Sequence, residues 1–199
     1  MAFIPTAGYP EINKSYIEED KNKIRSLGIS DIYDVDLKEE SVQSLHKKLS
    51  PADVIYVTGG NTFYLLDWVK KSGFDKVVRN FVNKGKIYIG ASAGSYIACP
   101  TIEQAYWKHQ DKNIVGLKDL TALNLVPFLI IAHFEEKWRT AVGNGVKTTK
   151  YPVVALTDTQ AILVKDGKWK LVGKGKKEFF NNFKENWWQE LQFSSKLQS

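Results

Sequence analysis

The chain has 199 residues, 43% hydrophobic and 25% charged, with a formal net charge of +6. These proportions are ordinary for a globular protein, and the length suits one domain with a sizeable core, so a single domain over residues 1–199 is expected. One cysteine excludes an internal disulfide, and the apolar stretch around Cys99 makes it a small buried hydrophobe. No charged-then-apolar leader opens the chain, and no apolar run approaches about 18 residues, which predicts a cytoplasmic protein without a membrane span. The lysines are spread along the chain with no nucleic-acid-binding motif beside them. The positive charge therefore reads as a solvated surface, with no nucleic acid as partner.

Strand and helix signals alternate through the first half. Ala2 to Pro5 is a short apolar start. Glu11 to Leu27 places Ile12, Tyr16, Ile24 and Leu27 at helical spacing and stops at Gly28. Asp31 to Leu37 alternates and predicts a strand; Glu39 to Leu49 predicts a short helix. Asp53 to Val57 predicts a buried strand, followed by a tight turn at Thr58-Gly59-Gly60-Asn61. Thr62 to Lys71 and Phe74 to Asn83 are helical, and Lys86 to Ile89 is the next strand. Strands alternating with helices imply an α/β fold: a mainly parallel sheet with helices on both faces.

The second half is less regular. Pro100 to Asn124 predicts a loop or small hairpin, and Val126 to Ala132 a strand that delivers His133. Glu135 to about Lys147 predicts a helix broken by glycines. Val153 to Leu156, Ala161 to Val164 and Trp169 to Val172 predict short strands, with a hairpin turn at Lys165-Asp166-Gly167. Glu178 to Leu191 carries Phe179, Phe180, Phe183, Trp187, Trp188 and Leu191 on one broad helical face, suited to docking on the core or on a second copy. Monomer and homodimer both remain open on this pattern.

Gly90-Ala91-Ser92-Ala93-Gly94 is the most informative stretch. It joins a strand to the apolar segment after it, the setting in which Gly-x-Ser-x-Gly forms a nucleophile elbow. A serine at a sharp strand-to-helix turn stands clear of the sheet edge, and small neighbours let the turn close. A serine nucleophile needs a base and an acid to orient that base. The chain has three histidines. His46 lies in a charged helix and His109 in a polar loop. His133 follows a buried strand, at the sheet edge where open α/β folds bind ligands, and is the best base. For the acid, an α/β-hydrolase order (Ser, acid, His) would need Glu103, Asp111 or Asp119. The order Ser, His, acid offers Asp158, which also ends an apolar strand and is preferred. An oxyanion needs two converging N–H groups. Ala93 supplies one, and Gly60 is a candidate for the other, although its Gly-rich turn also has phosphate binding as a rival reading.

Phe3-Ile4-Pro5-Thr6-Ala7, Ile55 to Phe63 through Gly59-Gly60-Asn61-Thr62, Tyr88 to Gly94, and Ala122 to Val126 leading to His133-Phe134 together resemble the peptidase E (alpha-aspartyl dipeptidase) family of serine peptidases. That family falls in the class I glutamine amidotransferase-like superfamily, and the likeness runs from residue 2 to about 165. The resemblance implies a serine peptidase acting on short peptides, dipeptides with N-terminal aspartate above all, with neither metal nor cofactor. It implies Ser92 as nucleophile, His133 as base, Asp158 in the acid position, and Gly60 and Ala93 as the oxyanion backbone. Arg139 and Lys137 are the nearest matches to the arginine that binds the substrate aspartate, and Asn61 belongs to the same Gly-Gly-Asn-Thr site motif.

The chain departs from the family in three places. It starts at Met1-Ala2, so the family's first strand is expected to be absent from the sheet. Glu135 and Glu136 beside His133 oppose an acidic substrate. Tyr106-Trp107 stands where a polar run is expected after Ile102. Cleavage of a cyanophycin-like or other isopeptide on the same scaffold, or a catalytically silent binding protein, are the alternatives these departures raise.

Overall fold

The computed structural model describes residues 1–181. Four short strands form a parallel sheet: β1 (Ala2–Ile4), β2 (Tyr33–Asp34), β3 (Val54–Val57) and β4 (Ile87–Gly90), in the order β2-β1-β3-β4. Helices connect them: α1 (Ser15–Ser26) between β1 and β2, α2 (Val42–Leu49) between β2 and β3, and α3 (Thr62–Ser72) with α4 (Phe74–Asn83) between β3 and β4. The parallel pairing follows from these crossovers, which return each strand to the same edge. After β4 comes the one-turn helix α5 (Ala93–Ile97).

A second sheet holds β5 (Leu129–Ile131) and β6 (Val153–Ala155), parallel to each other and joined by α6 (Arg139–Val146). The hairpin β7 (Gln160–Lys165) and β8 (Lys168–Gly173) follows, turning at Asp166-Gly167 with both φ angles positive, +51° and +71°. That backbone twist matches the flanking strands and is why an Asp-Gly pair serves there. Finally β9 (Glu178–Phe180) adds antiparallel to β6.

Each sheet has its own apolar cluster. Ile4, Ile55, Val57, Phe63, Leu66 and Ile97 belong to the first. Phe128, Leu129, Ile131, Val142, Val153 and Val154 belong to the second, with Cys99 fully buried among them. No helix among the described residues is long and apolar enough to cross a membrane.

The structure corrects several sequence expectations. Helix α1 begins at Ser15, because the Asn13 side chain accepts the Ser15 N–H and holds the preceding chain in a turn. Ile12 thus lies outside the helix and is exposed, as is Leu27, leaving Ile24 as the buried apolar residue of α1. The strand expected over Asp31 to Leu37 pairs only at Tyr33–Asp34, since the chain then turns so that Asp36 accepts the Thr6 hydroxyl and the Leu37 N–H donates to it. The glycines of α6 do not break it; the Trp107 ring packs against the helix at Gly145.

Glu178–Phe180 is a strand, not the start of an aromatic helix. Its rings pack at alternating positions, Phe180 on Phe134 and Phe179 on Trp169, as period-two spacing requires. Phe183, Trp187, Trp188 and Leu191 lie outside the described residues.

Candidate active site

The site is assembled where β3, β4, β5 and β6 end. Ser92 sits between β4 and α5 with φ +49° and ψ −111°, a backbone region that L-residues avoid at a cost of about 1–3 kcal/mol. Two features hold it there. The Ala91 N–H donates to Val57 O at 2.9 Å, tying the turn to β3. At Gly94, any Cβ would lie 2.2 Å from Val57 O, so only glycine lets α5 pack so close to β3. A serine preceding a helix ordinarily caps it with its hydroxyl. The Ser92 side chain caps nothing, and its Oγ turns outward instead.

It meets His133. The Ser92 Oγ and His133 Nε2 are 3.0 Å apart, and His133 Nδ1 lies 2.6 Å from Asp158 Oδ1. His133 is also in a left-handed backbone, φ +53°, just beyond β5. The ends of β5 and β6 are knitted past their ladder by Leu156 N–H to Ile131 O and Phe134 N–H to Leu156 O, both 2.8 Å. That knitting sets Asp158 beside the imidazole. The Asp158 side chain is 76% exposed and that of His133 55%, so the hydroxyl–imidazole–carboxylate line faces solvent and is open to a ligand.

The turn after β3 lies against the serine. A Cβ built on Gly59 would be 3.0 Å from Ser92 Cβ. Gly60 has φ +130°, and a side chain there would collide with Ala7 O at 2.2 Å. Neither the Gly60 nor the Ala93 N–H has a partner among the described residues. Unpaired donors beside a hydroxyl are the arrangement that an oxyanion would fill.

The residues expected to bind substrate have other partners. Asn61 is 6% exposed; its Oδ1 accepts the Tyr64 N–H at 2.9 Å as the cap of α3, and its Nδ2 donates to Lys112 O. It therefore caps α3 and holds the Lys112 loop over it. Arg139 donates to both Glu136 oxygens and, at 2.9 Å, to Glu178 on β9. Lys137 pairs with Glu135 at 2.7 Å. Both cations stand after His133, and each is neutralised by a carboxylate.

The other acids considered for the site do not bond the imidazole. Glu103 accepts the Thr149 hydroxyl, and Asp119 pairs with Lys70 at 2.5 Å. Asp111 accepts the Thr62 N–H at 3.1 Å, at the start of α3. It nevertheless lies in the electrostatic field of His133, and burial pushes its carboxyl above the ordinary range. Among the described residues, neither His46 nor His109 hydrogen-bonds the Ser92 hydroxyl. Among the described residues, no three His, Cys, Asp or Glu side chains are grouped to hold a metal.

Lys108 is the side chain the sequence reading passed over. It is 6% exposed, and its ammonium donates to Ala132 O, one residue before His133. Its neighbours Tyr106 and Trp107 carried the only hint, as apolar residues where a polar run was expected.

The chain is similar to known peptidases. The model of peptidase family S51 matches residues 1–172. An uncharacterized peptidase of Listeria monocytogenes is 40% identical over 168 residues, 83% of this chain and 82% of its own length. Peptidase E of Shigella flexneri is 31% identical over 183 residues, covering 87% of this chain and 72% of the relative. A crystal structure of a candidate peptidase E from Listeria monocytogenes superposes with a TM-score of 0.76 at 33% identity, over 87% of this chain and 85% of that one.

Proposed function

Because the chain belongs to peptidase family S51, we propose that Ser92, His133 and Asp158 are the catalytic triad of a serine peptidase acting on short peptides. The observation that carries the reading is the continuous line Ser92 Oγ, His133 Nε2, His133 Nδ1, Asp158 Oδ1, with contacts of 3.0 and 2.6 Å. Ser92 is then the serine of a nucleophile elbow. His133 takes its proton as Oγ attacks the peptide carbonyl, and Asp158 orients the ring and stabilises the imidazolium. The negative oxygen of the tetrahedral intermediate is received by the Gly60 and Ala93 N–H groups. His133 returns the proton to the leaving amine, leaving an acyl-enzyme on Ser92, which a water activated by His133 then releases.

Dipeptides with N-terminal aspartate are the proposed substrates. Arg139 and Lys137 are the cations that follow the base in the chain, and a substrate carboxylate would have to displace Glu136 or Glu178 from Arg139, or Glu135 from Lys137. Those three pairings support a second reading in which the same triad cleaves peptides or isopeptides without an acidic first residue. A fluorophosphonate probe tests the nucleophile directly. It is expected to label the wild type once, at Ser92, and to leave Ser92→Ala and unfolded protein unlabelled. Equal labelling of Ser92→Ala removes the proposal.

A further inference from the structure

Lys108 is buried at 6% exposure, and it forms no ion pair among the described residues. Its ammonium has one hydrogen-bond acceptor, Ala132 O at 2.6 Å, and lies 5.9 Å from the centre of the Trp138 ring. Burying a cation without a paired carboxylate is costly, so its position calls for a use beyond packing. Burial is also the largest influence on its ionisation and pulls it below the ordinary lysine range.

Two consequences of this placement converge on His133. The Ala132 carbonyl and the His133 N–H belong to one planar peptide, so fixing that oxygen fixes the plane that leads into His133. The φ at His133 is +53°, in a region that few non-glycine residues occupy. The other consequence is electrostatic. Asp158 bonds the imidazole and Asp111 acts on it through space. Two carboxylates would favour the imidazolium, which cannot accept the serine proton. Lys108 interacts with both, and also with Glu135 and Lys137 after β5.

We propose that Lys108 is a positioning residue for the base: it holds the Ala132 peptide that leads into His133, and it places a positive charge near the two carboxylates that act on the imidazole. The inference rests on the proposed triad. It names a residue outside the hydroxyl–imidazole–carboxylate line, acting through the backbone and the field.

The test combines turnover with a readout that needs none. Histidine-labelled protein gives three imidazole signals, from His46, His109 and His133, with His133 identified by its loss in His133→Asn. Lys108→Met keeps the stem and removes the charge; Lys108→Gln is made in parallel in case the first does not fold; Lys108→Arg keeps the charge.

In Lys108→Met or Lys108→Gln, the His133 titration and the acid limb of kcat/KM both move to higher pH, because the cation opposing the imidazolium is gone. kcat falls about 10- to 100-fold as the ring loses its aim, with KM little changed. Lys108→Arg restores the titration. A folded uncharged variant whose His133 titration stays in place overturns the inference, even if kcat has dropped. A wild type that neither labels at Ser92 nor turns over peptides overturns the triad instead, and the titration still decides whether Lys108 acts on His133.

Discussion

Ser92 Oγ and His133 Nε2 stand 3.0 Å apart although their strands, β4 and β5, belong to different sheets. The contact depends on two unusual backbones, with φ +49° at Ser92 and +53° at His133, each turning a side chain toward the other. Asp158 completes the line from the end of β6. Asp158→Asn is expected to lower kcat by about 10⁴-fold, the loss that follows when the orienting acid can no longer hold the productive tautomer. The side chain is 76% exposed, so the unfolding temperature should hardly change. Steady-state kinetics and a thermal melt on the same sample check both halves.

Gly60 is constrained on two sides, by φ +130° and by Ala7 O, which any Cβ would meet at 2.2 Å. Gly60→Ala should destabilise the fold by about 2–4 kcal/mol, combining the backbone penalty with overpacking. It should also lower kcat, because the loop must shift the N–H assigned to the oxyanion. Urea unfolding at constant slope, set beside kcat, measures the two effects.

Arg139 is held by Glu136 and Glu178. If it receives an aspartyl substrate, weakening that hold makes it more available. Glu136→Gln is expected to lower KM for an aspartyl peptide several-fold and leave KM for an alanyl peptide unchanged, whereas Arg139→Met raises KM for the aspartyl peptide alone. Equal KM changes for both peptides would remove Arg139 from recognition.

Cys99 is fully buried, and burial pushes its thiol up to about 12 from an ordinary 9.0. Between those values the folded chain keeps a proton that the unfolded chain has lost, so this thiol makes stability fall as pH rises, by up to about 1.4 kcal/mol per pH unit. Tyr88 and Tyr96, also raised by burial, extend the trend at higher pH, while Lys108, pushed down, opposes it. Urea midpoints measured from pH 8 to 10 should decline less steeply in Cys99→Ala than in the wild type. A thiol reagent at pH 8 should leave the native protein unmodified and react once it unfolds.

The sequence carried Ser92, His133 and Asp158 because each follows an apolar strand, and strand ends in an α/β fold converge on one edge. Gly60 was legible for the same reason. Three other features were less so. Asn61 reads as a binding residue because its motif names it, but an asparagine before a helix is also a cap, and that capping role emerges only from the contacts to Tyr64 and Lys112. Glu178–Phe180 was read as helix because aromatic residues crowd that region at several spacings at once; its strand pairing with β6 is a long-range contact that no local period records. Lys108 was invisible because a lysine in an irregular loop is ordinarily solvated, and its burial depends on Trp138 and Ala132 arriving from elsewhere in the chain.

The most direct test of the account is hydrolysis of a panel of N-terminal aminoacyl p-nitroanilides, aspartyl among them, by the wild type and by Ser92→Ala. The account predicts turnover of the aspartyl compound by the wild type and none above background by the variant. No turnover of any member by a wild type that binds the panel, or turnover that survives in Ser92→Ala, would contradict a serine peptidase centred on Ser92.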